Sequence, residues 1–142
     1  MAAMFRVLFA LLVLPLASTC QAACFDQAAA RYGVSPSLLK AISLVESGSN
    51  HAARNRNADG SEDVGHMQIN SRWLGVLSAY GIGREQLFDP CINTHVGAWI
   101  LAQNISRLGY NWEAVGAYNA RSPIKRAAYA RRVAAKVKPW RS

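Results

Sequence analysis

Three times this sequence sets a small polar residue directly before a proline, with helical apolar spacing behind it: Ser35-Pro36, Asp89-Pro90 and Ser122-Pro123. Proline has no N–H and a fixed φ, so the first turn of a helix suits it, where the N–H would lack a partner anyway. The residue before it caps the turn. These pairs predict helices through "PSLLKAISLVES", "PCINTHVGAWILAQNISRL" and "IKRAAYARRVAAKVK". Gly48 ends the first as a left-handed residue. Shorter helices are expected in "CFDQAAARYG", closed by Gly33, and in "NWEAVGAYNA"; "SRWLGVLSAYG" also has helical spacing. From Ser49 to Gly65 the apolar period vanishes, and "RNRNADGSEDVG" puts an Asp59-Gly60 turn between short polar arms. That pattern predicts a small hairpin. The fold class is α+β, mostly helical with one small β-hairpin. No repeat, low-complexity tract or linker divides the chain.

The N-terminus carries Arg6 and then "VLFALLVLPLA", an apolar run too short to span a bilayer comfortably, followed by small residues. It reads as a secretory signal peptide, residues 1–22, cleaved after Ala22, which leaves a domain at 23–142 with no stable membrane span. A lipoprotein signal ending at Cys20 would want a leucine that "ASTC" lacks. The alternative to cleavage is a retained anchor. Export places the protein in the periplasm or outside the cell. Cys24 and Cys91 then remain in an oxidising compartment and are expected to form a disulfide; two buried free thiols are the alternative. No CxxC pair or close His/Cys cluster suggests a metal, and no cofactor is expected.

The net charge is +8, and removing the leader, whose only charged residue is Arg6, leaves +7. Such a balance favours an anionic partner. Export moves nucleic acid down that list and leaves anionic lipid or anionic cell-wall polymer. The basic tail "KRAAYARRVAAKVKPWR" reads as a packed helix with a solvated cationic face.

The feature with chemical content is Glu46. On a helix, Leu38, Leu39, Ile42 and Val45 share an arc of roughly 120°, and Glu46 lies inside it, in the last turn. Burial and the helix C-terminus both favour the protonated carboxyl, the form a general acid needs. The hairpin supplies Asp59, Glu62 and Asp63 as candidates for a second carboxylate. A salt-bridged helix-end glutamate beside solvated turn acids is the competing reading.

The stretch "ESGSNHAARNRNADGSEDVGHMQINSRW" resembles the active-site region of animal-type lysozymes. That resemblance puts Glu46 on the family's general acid and Asp63 on its second carboxylate, the nucleophile or stabiliser. Across the wider chain, "SLLKAISLVESGSN", "GHMQIN", "DPCINTHVGAWILAQ" and "AVGAYNA" resemble the small SLT-domain lytic transglycosylases that accompany type III secretion, conjugation and type IV pilus systems. This implies a lysozyme-like fold and cleavage of the β-1,4 bond between N-acetylmuramic acid and N-acetylglucosamine, leaving a 1,6-anhydro end. Ser47, Gln68, Asn70, Tyr118 and Asn119 map onto positions that line the glycan groove or hold the acid. A peptidoglycan strand is the expected partner, with secretion or pilus components beside it, and the chain is expected to act as a monomer. His66 and Arg121 depart from the family pattern, where an apolar residue and glycine are usual, and are expected to affect how the strand lies. Hydrolysis of the lysozyme kind is the alternative. A non-catalytic wall-binding subunit would gain nothing from a buried acid.

Overall fold

The computed structural model describes residues 23–137. The signal-peptide reading falls on residues 1–22, outside the described part. All three proline-led helices form, each with its cap. In α2, Pro36–Ser47, Ser35 Oγ accepts from the Leu38 N–H, and Gly48 closes the other end at φ 64°. In α4, Pro90–Leu108, Asp89 accepts from Ile92 N–H; in α6, Pro123–Ala134, Ser122 accepts from Lys125 N–H. The short helices are α1, Phe25–Tyr32, and α5, Trp112–Gly116. The segment after Asn70 does not make one continuous helix. A 3₁₀ turn, Ser71–Trp73, leads into α3, Leu74–Leu77, and a second 3₁₀ turn, Ser78–Tyr80, follows. Gly75 weakens the helix there, and Ser78 Oγ bonds back to the Gly75 carbonyl at 2.9 Å.

The hairpin has a third strand that its sequence pattern did not predict. β1, Arg54–Arg56, pairs antiparallel with β2, Glu62–Val64, which pairs antiparallel with β3, Ile69–Asn70. Asp63 therefore occupies the central strand, opposite Asn55 on one side and Asn70 on the other. The turn from β2 to β3 depends on two left-handed residues, Gly65 at φ 74° and Gln68 at φ 50°. At Gly65 a Cβ would lie 2.3 Å from Asn93 Nδ2, so only glycine fits. Asn93 explains the crowding: its Oδ1 accepts from Met67 N–H, and its Nδ2 donates to the carbonyls of Val64 and Leu87. One buried amide on α4 thus holds the turn from both sides.

The core lies where α2 and α4 meet the sheet and the other helices: Leu39, Ile42, Val64, Met67, Leu87, Leu101 and Val133 are fully enclosed. Burying side chains of this size contributes about 1.5–3 kcal/mol each against the entropy of ordering the chain. Cys24 and Cys91 are joined, tying the start of α1 to the first turn of α4 across 67 residues of sequence. Among the described residues no helix is long and apolar enough to cross a membrane.

Candidate active site

A groove of about 530 Å³ runs between the sheet and the helices, and its lining includes Glu46, Asp63, Gln68, Asn70, Tyr118 and Asn119. The last turn of α2 presents Glu46 to it, while β2 presents Asp63. Tyr129 of α6 donates its hydroxyl to Glu46 Oε1 at 2.5 Å, and its ring is 2% exposed. Burial raises the Glu46 pKa above its ordinary value; the Tyr129 hydrogen bond pulls it back, and the Asp63 charge pushes it up again. Arg132 and Asn119 also favour the ionised form, more weakly. The carboxyl is therefore held in a balance that favours retaining its proton.

Asp63 is built differently. Asn57 Nδ2 donates to its Oδ2 at 3.0 Å and Asn70 Nδ2 to its Oδ1 at 2.8 Å, so amide donors satisfy both oxygens. The other two hairpin acids are occupied elsewhere. Glu62 pairs with Arg54 and Arg84, which hold its pKa low. Asp59 accepts from Ser61 N–H and Oγ and pairs with Arg72. Asp59 still lines the groove, but Asp63 is the acid whose neighbours are neutral amides. The competing picture of Glu46 as a salt-bridged surface residue does not fit, because its close partner is a tyrosine hydroxyl.

Gln68 and Asn70 both line the groove and hold the backbone. Gln68 Nε2 donates to the Gly65 carbonyl at 2.9 Å, and Asn70 Oδ1 accepts from Arg72 N–H at 3.0 Å. Tyr118 donates to the Met67 carbonyl at 2.9 Å, which fixes the far side of the same turn. Burial pushes its phenol pKa well up. Gly97 makes this possible, since a Cβ there would meet Met67 Cε at 2.6 Å and Tyr118 Oη at 3.0 Å.

Ser47 does not line the groove. Its Oγ donates to the His66 carbonyl at 2.9 Å and accepts from Asn50 N–H, anchoring the end of α2 to the turn after β2. It holds the helix turn that carries Glu46. His66 likewise points inward, away from any glycan: it is 0% exposed, with Ser43 Oγ 2.8 Å from Nδ1 and Thr94 Oγ1 3.0 Å from Nε2. Burial lowers its pKa. Arg121 is exposed on the loop that leads into α6. Among the described residues no group of three or more His, Cys, Asp or Glu is placed to hold a metal ion.

Tyr129, Asn57 and Asn93 escaped the sequence reading. The signal for Tyr129 was a lone aromatic four residues before Val133 in an otherwise alanine- and arginine-rich helix; a buried tyrosine hydroxyl calls for a partner.

Comparison with known proteins agrees with this geometry. Residues 23–139 match the family described as the transglycosylase SLT domain. The chain is 44% identical over 121 residues to the invasion protein IagB of Salmonella typhimurium (strain SL1344), covering 84% of this chain and 76% of that one. It is 44% identical over 107 residues to protein IpgF of Shigella flexneri, covering 75% and 70%. A solved structure, the lytic transglycosylase Slt of Pseudomonas aeruginosa in an inactive glutamate-to-glutamine mutant, superposes with a TM-score of 0.65 at 22% identity. It covers 87% of this chain and 24% of that one, so the chain spans about a quarter of that protein, and the likeness is one of fold.

Proposed function

The chain belongs to the transglycosylase SLT domain family and is a lytic transglycosylase; from that premise we propose that Glu46 carries out both proton transfers in cutting a peptidoglycan strand to a 1,6-anhydro end. Glu46 protonates the oxygen bridging N-acetylmuramic acid to N-acetylglucosamine as the C1–O bond breaks. The same carboxylate then takes the proton of the muramic acid 6-hydroxyl, whose oxygen bonds to C1. Atoms balance without water, because the nucleophile is already tethered to the ring. Asp63 faces the positive charge that develops at C1 and stabilises it. Gln68, Asn70, Tyr118 and Asn119 shape the groove around the sugars. The observation that carries this reading is that one groove holds Glu46, bonded to the buried Tyr129 hydroxyl and shifted by burial toward its protonated form, together with Asp63, bonded at both oxygens by amides.

One observation favours a second reading. Asp63 is held at both oxygens, as a nucleophile would be in a lysozyme that retains configuration through a covalent intermediate. Digestion of purified peptidoglycan in heavy-oxygen water distinguishes the two. Anhydro ends without label are expected; label at muramic acid C1 in most fragments makes the enzyme a hydrolase. Asp63→Asn puts an amide NH₂ against an amide donor. It should slow the anhydro-forming reaction about 5- to 150-fold, equivalent to roughly 1–3 kcal/mol, and leave the product type unchanged.

The disulfide supports an extracytoplasmic location, in the periplasm or secreted after cleavage of residues 1–22. A relative named as an invasion protein supports the further proposal that the enzyme opens the wall locally, as a monomer, for a secretion or pilus apparatus.

A further inference from the structure

Helix α5 is five residues long, too short to hold its own shape, and the chain leaves it through residues 117–120 into an exposed stretch, residues 121–125. Tyr118 and Asn119, which line the groove, lie in that exit. Tyr118 is tied through its hydroxyl to Met67, but Asn119 is exposed, so the backbone around it must fix where it sits. The N–H groups of Asn119 and Ala120 bond back to the Gly116 carbonyl at 3.2 and 3.1 Å. The Ala120 carbonyl is held from behind: Arg126 Nε, on α6, donates to it at 3.0 Å. The same guanidinium donates from Nη1 to Glu113 Oε1 at 2.7 Å, in the first turn of α5. One planar side chain thus spans α5 and closes on the loop that follows it.

Gly116 lets Arg126 come this near. A Cβ there would lie 2.6 Å from Arg126 Cβ and 2.6 Å from the Arg126 carbonyl oxygen, so the two helices meet backbone to backbone. Arg126 is also set apart within its helix. Among the described residues it has an ion pair, and Lys125, Arg131 and Arg132 have none. The pair is partly solvated, with Glu113 45% exposed, and such a pair adds little to stability. What it supplies is direction, two N–H vectors in one rigid plane. Nearly one turn further along α6, Tyr129 bonds to Glu46. The same helix therefore fixes the acid and, at Arg126, the loop beside it. Asn119 is near enough to Glu46 to favour its ionised form, so a shift of that loop is felt at the acid.

We propose that Arg126 is a positioning residue for the reaction: braced by Glu113, it sets Asn119 against Glu46 and the sugar being cut. Arg126 is not in the groove lining, so it acts through the loop. The proposal rests on the reading of the groove as a peptidoglycan site.

The experiment measures kcat and KM on soluble, uncrosslinked peptidoglycan strands. It uses wild type, Arg126→Gln, Arg126→Lys, Glu113→Gln, Asn119→Ala, the double variant Arg126→Gln/Asn119→Ala and, as a control, Arg131→Gln. Arg126→Gln should lower kcat roughly 10-fold and leave KM within about 2-fold, since misplacing a group beside the reacting bond costs most in the transition state. Arg126→Lys keeps the charge but cannot make both bonds, and its kcat should stay at least about 3-fold below wild type. Glu113→Gln leaves the bond to Ala120 and should lose less than Arg126→Gln. The double variant should have the kcat of Asn119→Ala alone, because both changes remove one effect. Arg131→Gln should match wild type. Losses that multiply in the double variant, a loss confined to KM, or an equal loss in Arg131→Gln overturns the positioning role and leaves the catalytic reading standing. If Arg126→Gln does not fold, Arg126→Lys and Glu113→Gln decide, and wild-type kcat in both overturns the role. Wild type without turnover overturns both readings.

Discussion

Glu46→Gln replaces a titratable carboxyl by an amide of the same shape, and its effects on activity and stability should have opposite signs. The amide oxygen can still accept from Tyr129, so the groove floor keeps its geometry. Turnover should vanish, because no proton is left to give. Stability should rise at alkaline pH, and the sign follows from linkage. The folded pKa of Glu46 is raised above its ordinary value of about 4.5. Its contribution is thus fully present below the unfolded pKa and is lost as pH rises through the folded pKa. Three features of the fold resist the charged form: burial, Asp63 across the groove, and the carbonyl end of α2. Tyr129 offsets part of this, and the side chain keeps one face toward solvent, so a partial net cost of the ionised form remains at pH 8. For a domain of this size each kcal/mol of that cost relieved raises the Tm of the variant by about 4 °C. Circular-dichroism melts at pH 4, 6 and 8 measure it. The difference should be close to zero at pH 4 and largest at pH 8. A variant less stable than wild type at pH 8, or a difference that ignores pH, would refute the account of Glu46 as a carboxyl held against ionisation.

Tyr129→Phe keeps the buried ring and removes the donor to Glu46, so the alkaline limb of the pH–rate profile should move upward; an unmoved limb would remove Tyr129 from the control of the acid. His66→Leu should lower Tm at pH 8, because Ser43 and Thr94 lose a partner, at about 1–3 kcal/mol. The same change should flatten the loss of stability on acidification. The folded pKa of His66 is depressed by burial, with the His51 ring packed edge-on beside it, so its contribution is present above the unfolded pKa of about 6.5 and is lost as pH falls. An equal acid slope in wild type and variant, from melts at pH 8, 6.5 and 5.5, would exclude it. Cys24→Ser/Cys91→Ser should cost roughly 4 kcal/mol in urea unfolding, given a 67-residue separation; a cost under about 1 kcal/mol would leave the bond without a stabilising role.

Helix boundaries were legible because caps act locally. Ser35, Asp89 and Ser122 each bond to an N–H three residues on, and Gly33 and Gly48 adopt the left-handed geometry their positions required. The acid was legible too, since a carboxylate inside an apolar arc is visible without knowing what covers it. The third strand was not, because Asn93, 26 residues from Met67, holds the turn that creates it. Tyr129 was hidden for a similar reason: its partner is 83 residues away, and its neighbours read as a basic surface helix. The motif left open whether Ser47 lines the groove or holds the acid, and it holds the helix turn that carries Glu46. His66, expected to affect how the strand lies, is enclosed by Ser43 and by Thr94 of α4, partners remote in sequence.

The separation between Glu46 and Tyr129 also sets a timetable. A chain that appears N-terminus first presents α2 and the sheet, hence Glu46 and Asp63, long before α6. Until then Glu46 lacks its tyrosine, and the groove lacks the wall that Tyr118 and Asn119 supply. The loop closed by Cys24–Cys91 encloses both carboxylates, but none of these three later residues. A lytic transglycosylase built in this order has no complete groove until its last helix is in place.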